Sequence, residues 1–462
     1  MKKIFSILSF VLLGIFIYIN FFSIDKNFQF LKKLLNEENR YFIKKIFFPY
    51  KYISQLESHM IHQTVGSAYI IPSSLLIKKE LDFKKKKIDI QIIKNKKKFQ
   101  ISKNKILKKY NLVGGFYYGI NQISPGTGYI DFYQNNLIIL SSRGVLSFVK
   151  DIENESSLKQ IENNIEDFIN SKQYEKGIWF SLKDLLIYNN RIFVSYTEEI
   201  KKNCWNTSII YANMNYDNIK FEKLFSSKEC IHNIVNVDSR FNAYQSGGRI
   251  VGFDNEHILL TVGEYRSRYL AQEEKNINGK IIKVKIIKNN PDFEVISIGH
   301  RNPQGLYFDK DKNFLLETEH GPKGGDEINL IELDNLNKEK VLNYGWPIVS
   351  YGDHYPQNEK EHKETYKKYP LYKSHSKYGF IEPIEFFTPS IAISEITKIG
   401  KNRYVASSMK SSSLFFFELD NKKIINLDRV SVFDRIRDLK FDNGKLFLFL
   451  EDSASIGIIN LN

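Results

Sequence analysis

One pattern of apolar and polar positions recurs along the chain: a short apolar strand, a turn rich in Asn, Asp, Gly or Lys, and a second apolar strand. Its copies are residues 130–142, 185–196, 250–262, 306–318, 396–408 and 439–451. Such runs are typical of β-hairpins, and no helical period of useful length appears after about residue 110. Each copy has room for one four-stranded sheet. The pattern therefore predicts an all-β fold, a six-bladed β-propeller, with a large β-sandwich as the competing architecture.

The start of the chain has a different pattern. Lys2 and Lys3 precede an almost uninterrupted apolar run from Ile4 to about Phe22. This run is long for a signal-peptide core, just long enough to span a bilayer, and no small-residue cleavage site follows it. We expect an uncleaved signal anchor in residues 1–24, with a cleaved signal peptide as the alternative. The lysines should stay in the cytoplasm, which places the rest on the periplasmic side of the membrane, or secreted if the segment is cleaved.

Residues 25–109 form a lysine-rich extension, and the propeller is expected in residues 110–462. The net charge is +14, and twelve lysines with one acid between Lys84 and Lys109 account for +11 of it. A nucleic-acid groove would spread basic residues over the folded domain and interleave them with aromatics, so nucleic acid is not expected as a partner. Alternation around the lysines predicts a hairpin with a solvated face. Contact with anionic lipid beside the anchor is the alternative.

The chain has two cysteines, Cys204 and Cys230, separated by an apolar and aromatic stretch that could return as a paired strand. Export would favour a disulfide between them. Two buried free thiols fit the sequence equally well.

The hairpins also predict which side chains meet. In an antiparallel hairpin, the residue that enters the first strand and the residue that leaves the second lie at the same end. Arg301 and Asn302 enter a strand whose partner leaves at the segment 320–322. The same rule brings further groups to this end, which in a propeller faces one mouth of the central channel: residues 245–249, Glu264, Lys410, Arg435 and Arg437.

Four cations would then surround one pocket: Arg301, Lys410, Arg435 and Arg437. Such a ring is costly unless it binds an anion with several carboxylates or phosphates. The carbonyls of Gly321 and Pro322, on a turn beside acids, are hard oxygen ligands of the kind that Ca²⁺ accepts. As an alternative, the arginines could form ion pairs between blades with these acids: Asp326, Glu327 and Asp438. Spacing alone favours neither.

Five motifs of the second half carry a family resemblance. They read GHRNPQGL at 299–306, TEHGPKGGDEINLI at 318–331, NYGWPIVSYGDHY at 343–355, SSMKSSSL at 407–414 and RIRDLKF at 435–441. Together they strongly resemble the glucose/sorbosone dehydrogenase family, close to the soluble aldose sugar dehydrogenases that use pyrroloquinoline quinone. The resemblance covers roughly residues 110–460. It implies a six-bladed propeller with the quinone over its central channel, bound together with Ca²⁺.

The resemblance implies roles for residues that match the family's motifs. Arg301 and Asn302 would contact the reactive oxygens of the quinone, and Lys410, Arg435 and Arg437 would bind its carboxylates.

Further matched groups would hold calcium. The carbonyls of Gly321 and Pro322 would bind the Ca²⁺ that polarises the carbonyl accepting hydride. Glu327 and the carbonyl of Tyr344 match a second, structural calcium position.

The segment YQSGGRI at 244–250 departs from the family. Active members carry a histidine four residues before the arginine of this segment, where it removes the proton of the sugar hydroxyl. Alignment on Arg249 puts Gln245 in that place, and glutamine cannot act as a base near neutral pH. His320, at the same mouth, is the possible substitute.

Two functions are therefore expected. The first is a quinone-dependent oxidoreductase that oxidises an aldose, or a related sugar or polyol, and passes electrons to an unidentified acceptor. The second is a catalytically weak or inactive propeller that acts as a ligand-binding or interaction module. Retention of the five cofactor-side residues favours the enzyme, and Gln245 favours the module.

Overall fold

The structure is a computed structural model of the 462-residue chain. It describes residues 90–94, 98–113, 127–142, 144–170, 173, 181–236, 241–336, 341–355 and 363–461. The predicted anchor in residues 1–24 and most of the lysine-rich extension lie outside these ranges. The described part begins with three strands: β1 (Ile90–Lys94), β2 (Phe99–Ser102) and β3 (Lys105–Val113).

The next two sheets are blades 1 and 2. Blade 1 contains β4 (Gly128–Tyr133), β5 (Asn136–Ser141), β6 (Leu146–Val149) and β7 (Ser157–Asn163). Blade 2 contains β8 (Leu182–Tyr188), β9 (Arg191–Lys201), β10 (Cys204–Asn213) and β12 (Glu222–Phe225). Two short strands follow β10: β11 (Asn218–Ile219) pairs with β7 of blade 1, and β13 (Ile231–His232) pairs with β10.

Blades 3 and 4 follow. Blade 3 contains β14 (Gly247–Gly252), β15 (His257–Val262), β16 (Lys280–Lys285) and β17 (Glu294–Ile298). Blade 4 contains β18 (Pro303–Asp309), β19 (Phe314–Glu319), β20 (Asp326–Glu332) and the outer strand β22 (Glu385–Phe387). The short strand β21 (Leu342–Asn343) lies between β20 and β22 in sequence and pairs with β17 of blade 3.

Blades 5 and 6 complete the ring. Blade 5 contains β23 (Ile393–Lys398), β24 (Arg403–Ser408), β25 (Ser413–Asp420) and β26 (Lys423–Ser431). Blade 6 contains β27 (Ile436–Asp442), β28 (Lys445–Leu450) and β29 (Ser455–Asn460), and β3 from the start of the chain supplies its outer strand. The predicted propeller boundary after residue 109 therefore falls inside a strand of blade 6.

The predicted architecture is confirmed. Each of the six hairpins foreseen in the sequence is the inner pair of one blade, and the innermost strands contact one another in order, with β27 against β4. Each pair of neighbouring blades shares its own apolar cluster. The second strand of a blade is covered on both faces, which explains continuous apolar runs such as LFLFL in β28.

The N-terminal strands close the ring. Within blade 6, β3 pairs with β29, while β1 pairs with both β3 and β7 and so joins the outer edges of blades 6 and 1. Pairing of the first and last parts of the chain leaves no gap in the ring, and it removes exposed strand edges.

Among the described residues, helices are few and short. The described residues include the α-helix α1 (Lys363–Lys368) and these 3₁₀ turns: Ile165–Asp167, Ala243–Gln245, Arg268–Gln272, Leu333–Asn335 and Ser376–Tyr378. Among the residues that the structure describes, no helix has both the length and the apolar character to cross a bilayer.

The cysteine alternatives are resolved by the strand pairing. Cys204 begins β10, and β13 returns beside it just after Cys230. The two cysteines form a disulfide, with their Cα atoms 5.3 Å apart.

Candidate functional site

A cavity of about 500 Å³ opens at the mouth where the inner strands begin. The structure places nine of the sequence-predicted site residues around it: Gln245, Arg301, Asn302, His320, Gly321, Pro322, Lys410, Arg435 and Arg437. The hairpin geometry accounts for this, because Pro303 at the start of β18 lies opposite Glu319 at the end of β19. Glu327 and Tyr344 are not among the lining residues and lie in a second, smaller site.

Arg301 and Asn302 are fixed by the turn after β19. A single nitrogen of the Arg301 guanidinium donates to the carbonyls of His320 (2.8 Å) and Gly321 (2.7 Å), and the group lies 5.4 Å from the ring centre of Trp346. The backbone N–H of Arg301 donates to Glu319 at 2.5 Å. The side-chain oxygen of Asn302 accepts from the backbone N–H of Gly247 at 3.2 Å. Both side chains are therefore held in place by hydrogen bonds to backbone groups of the propeller.

Gln245 is bonded at both ends of its amide. Its oxygen accepts from the guanidinium groups of Arg301 (2.8 Å) and Arg266 (3.2 Å), and its nitrogen donates to the carboxylate of Glu264. The side chain is buried. An amide in this arrangement can donate its second N–H to a ligand, but it offers no group that can accept a proton.

His320 has a neutral imidazole whose tautomer follows from its contacts. The Nε2–H donates to the carbonyl of Ile393 at 2.7 Å, which leaves the lone pair on Nδ1, where the amide N–H of Asn302 approaches to 3.4 Å. Burial lowers the pKa of His320, the positive charge of Arg301 lowers it further, and the carboxylate of Asp326 opposes them. Nδ1 therefore carries no proton at neutral pH, and its lone pair faces the long contact with Asn302.

Arg435 and Arg437 share one buried carboxylate. Glu451 accepts from Arg437 at 2.8 and 3.2 Å and from Arg435 at 3.0 Å, and the hydroxyl of Thr127 also donates to it. Burial raises the pKa of Glu451, but the charges of the two arginines outweigh this and lower it. Two cations against one anion leave an excess positive charge at this wall, and Lys410, which is exposed, adds to it.

The expected ion pairs between blades are not formed as predicted. Asp438 pairs with Arg249 at 2.9 Å instead of with Arg301, Arg435 or Arg437. The carboxylate of Asp326 accepts from backbone N–H groups, one of them that of Gly321 at 3.1 Å and another that of Ala392 at 2.6 Å. This alternative considered only the acids nearest in sequence, whereas Glu451 approaches Arg435 and Arg437 from the neighbouring strand.

The two carbonyls expected to hold calcium line the cavity. The Gly321 carbonyl accepts from Arg301, and the Pro322 carbonyl accepts from the hydroxyl of Ser390 at 3.3 Å. A carbonyl oxygen has two lone pairs, so each keeps one for a further partner.

Glu327 and Tyr344 line a separate cavity of about 10 Å³, together with Glu319 and His375. A space of this size holds one water-sized species. His375 Nε2 lies 3.4 Å from the Glu327 carboxylate. Burial lowers the pKa of His375, but the nearby carboxylate of Glu327 outweighs it and raises the pKa.

Beneath the cavity, one guanidinium joins several blades. Arg249 meets Asp184 at 2.6 Å, Glu395 at 2.6 Å and Asp438 at 2.9 Å, all buried. Burial raises the pKa of Glu395 to about 8 and that of Asp184 to about 6, although Arg249 opposes both shifts. This network fixes the floor of the site.

Sequence reasoning missed three of the polar groups at the site: Lys183, Arg266 and Glu451. Lys183 enters the first strand of its blade, Glu451 leaves the second strand, and Arg266 follows β15 closely. The hairpin rule that placed Arg301 would have placed the first two at the same mouth.

Comparisons with known proteins agree with this geometry. An aldose sugar dehydrogenase of Escherichia coli (strain K12) is 28% identical over 232 residues, which is 45% of this chain and 57% of that protein. Quinoprotein glucose dehydrogenase B of Acinetobacter calcoaceticus is 35% identical over 135 residues, or 23% of this chain and 26% of that protein. The matches therefore span about half and about a quarter of these curated relatives.

Solved structures share the fold. The soluble aldose sugar dehydrogenase of Escherichia coli in its apo form has a TM-score of 0.54 at 20% identity, covering 72% of this chain and 95% of that one. The PQQ-bound aldose sugar dehydrogenase of Streptomyces coelicolor has a TM-score of 0.53 at 16% identity, covering 73% and 96%. The family model for glucose/sorbosone dehydrogenase matches residues 181–460, and because this is more than half of the sequence, the chain belongs to the glucose/sorbosone dehydrogenase family.

Proposed function

We propose that the protein is a pyrroloquinoline quinone-dependent oxidoreductase of the aldose sugar dehydrogenase type, which oxidises an aldose or a related sugar or polyol outside the cytoplasmic membrane. The observation that carries the proposal is the charge of the cavity. Among the described residues, seven basic side chains line it with one acid, Asp326, which is already bonded by backbone N–H groups. Arg249 is paired with three buried carboxylates, and Arg435 and Arg437 share one, so a positive excess remains. The predicted N-terminal anchor supports the location.

The residues present fit a planar ligand with several carboxylates. Lys410, Arg435 and Arg437 form one wall and would hold carboxylates, since guanidinium groups bind carboxylates by paired N–H donors. Arg301 and Asn302, at the start of blade 4, line the same cavity and would contact the quinone oxygens. When bound, the quinone supplies the hydride acceptor, which no protein side chain provides.

We also propose that calcium binds at the cavity, because of the oxygen ligands that line it. The carbonyls of Gly321 and Pro322 each have a free lone pair and belong to the hard oxygen class that Ca²⁺ prefers. Glu327 and the Tyr344 carbonyl, at the small cavity, would hold a second ion.

The proton of the substrate hydroxyl needs an acceptor, and Gln245 cannot serve. His320 is the proposed substitute, because its Nδ1 lone pair lies at the cavity wall and its Nε2–H is anchored on Ile393. Since burial lowers the pKa of His320, its imidazole is a weak base, and we expect slower turnover than in relatives with a dedicated base.

Activity measurement tests the proposal directly. The calcium-loaded full-length protein is incubated with pyrroloquinoline quinone, a panel of aldoses and polyols, and an artificial electron-accepting dye. We expect slow reduction of the dye that depends on the quinone and falls in His320→Gln. Turnover unaffected by omission of the quinone would refute the proposal.

The amide of Gln245, which cannot accept a proton, favours a second function, a binding module. Quinone binding without turnover of any substrate, in both the wild type and Gln245→His, would support the module over the enzyme.

A further inference from the structure

Three apolar side chains on the mouth face are far more exposed than the other large apolar residues that the structure describes. Phe433 is 81% exposed, Val235 77% and Ile234 71%, whereas the next, Ile287, is 50% exposed. Phe433 precedes β27, and Ile234 and Val235 follow β13, which pairs with the mouth end of β10. The two apolar tips belong to blade boundaries on opposite sides of the ring.

Both tips are held outward by specific backbone contacts. The backbone N–H groups of Ile234 and Val235 donate to Nδ1 of His232 at 3.2 and 3.0 Å, and the Cys204–Cys230 disulfide anchors the strand before them. The exposure of this tip is therefore a built feature of the loop.

Phe433 is exposed by a strained backbone. Its φ is +61°, a region that bulky residues rarely adopt, and its N–H and that of Val432 both donate to the Ser412 carbonyl. Backbone strain of this kind persists where the surrounding structure enforces it, and it is concentrated at functional sites.

Basic residues flank each apolar tip. The backbone N–H of Asn233 donates to the carbonyl of Asn203, which brings the exposed Lys201 and Lys202 beside the first tip. Exposed Arg429 donates to Ser411 and Ser413, on the turn that supports Phe433. Exposed apolar side chains near basic residues are typical of surfaces that enter the headgroup region of an anionic bilayer.

The chain enters the fold on the same side. In β1, Gln91 pairs with Val113, and Val113 continues the end of β3 that lies beside Ser455, at the mouth end of blade 6. The sequence before Ile90 contains the apolar run 4–22 and the lysine cluster 84–87. The described chain therefore begins at the mouth end, shortly after the lysine cluster in sequence, and lysines near a surface favour anionic lipid.

From these observations we infer that the mouth face docks on an anionic lipid bilayer, with Phe433 on one side of the cavity and Ile234 and Val235 on the other entering the headgroup region.

Hydrogen exchange of the full-length protein in lipid nanodiscs tests this inference. We compare nanodiscs of an anionic phosphatidylglycerol mixture, nanodiscs of phosphatidylcholine alone, and detergent. Hydrogen exchange at the backbone amides of residues 231–236 and 429–435 should be about tenfold slower on the anionic bilayer than in detergent. This factor is expected from burying about one large apolar side chain. The triple variant Ile234→Ser/Val235→Ser/Phe433→Ser should lose this protection. The control Ile287→Ser, on the turn after β16 at the opposite face, should keep it.

Several outcomes would overturn the inference. Equal exchange in detergent and on both bilayers would show that the tips do not meet lipid. Protection that survives the triple variant would assign it to other residues. Protection in detergent that grows with protein concentration would assign the tips to a second copy of the chain.

Discussion

Removal of Arg435 and Arg437 together should weaken both ligand binding and the fold, and the structure explains how to separate the two effects. Glu451 is fully buried, and its charge is compensated by these two arginines, at 2.8 to 3.2 Å, and by the hydroxyl of Thr127. Arg435→Ala with Arg437→Ala leaves a buried carboxylate without a cation. Breaking a buried ion pair on one side costs about 3–5 kcal/mol of unfolding free energy.

The matched variant adds Glu451→Gln to the double change. It removes the uncompensated charge, so most of the lost stability should return, while the cations needed for a polycarboxylate ligand are still absent. Urea unfolding measures the free energy of unfolding, and isothermal titration with pyrroloquinoline quinone measures binding. A double variant that unfolds at the wild-type urea concentration, or a triple variant no more stable than the double, would refute the role given to Glu451.

Other parts of the structure give further expectations. Gln245→His should raise aldose oxidation by about 10²-fold, the lower end of the contribution of a general base, and an unchanged rate in a quinone-binding variant would contradict the assignment. Because burial raises the pKa of Glu395 to about 8, the folded state holds a proton that the unfolded chain releases near pH 4.5, so the unfolding free energy should fall between pH 5 and 8. One titrating group changes the unfolding free energy by at most about 1.4 kcal/mol per pH unit. Glu395→Gln should reduce this dependence on pH, as measured by urea unfolding at several pH values. The same dependence in the variant would exclude Glu395 as its source. Replacing Cys204 and Cys230 by serine should lower the unfolding free energy by about 3.5 kcal/mol, as expected for a 26-residue loop, and an unchanged urea midpoint would show that the disulfide adds no stability.

The inner hairpins could be predicted from the sequence because their signals are local. Asn189 and Asn190, like Asn443 and Gly444, have positive φ values in two-residue turns, and apolar runs lie on either side. Such turns join antiparallel strands of matching twist, so each hairpin is specified within about a dozen residues.

The closure of the ring could not be predicted in the same way. Strand β3 pairs with β29, with Leu107 opposite Ile459, and nothing local in the lysine-rich segment marks it as the outer strand of blade 6. A long-range pairing of this kind depends on the whole ring having formed.

The site was predictable as far as the hairpin ends reach. That rule placed Arg301, Asn302 and His320 at one mouth, and the structure brings them together. Ion pairs between blades, such as Asp438 with Arg249, could not be predicted in this way. They depend on which side chains of the inner strands point into the channel. β-Bulges such as the one between Gly247 and Ile250 set this direction.

The central claim is that the cation-lined cavity binds a polycarboxylate quinone, and isothermal titration of the calcium-loaded full-length protein with pyrroloquinoline quinone tests it most directly. We predict saturable binding with one quinone per chain, weakened in Arg301→Ala. Among the described residues, the hydrogen bonds of this guanidinium go to two backbone carbonyls and to the Gln245 amide. No binding heat with the quinone at about 100 μM, where even a weak complex of about −5.5 kcal/mol would half-saturate, would contradict the claim.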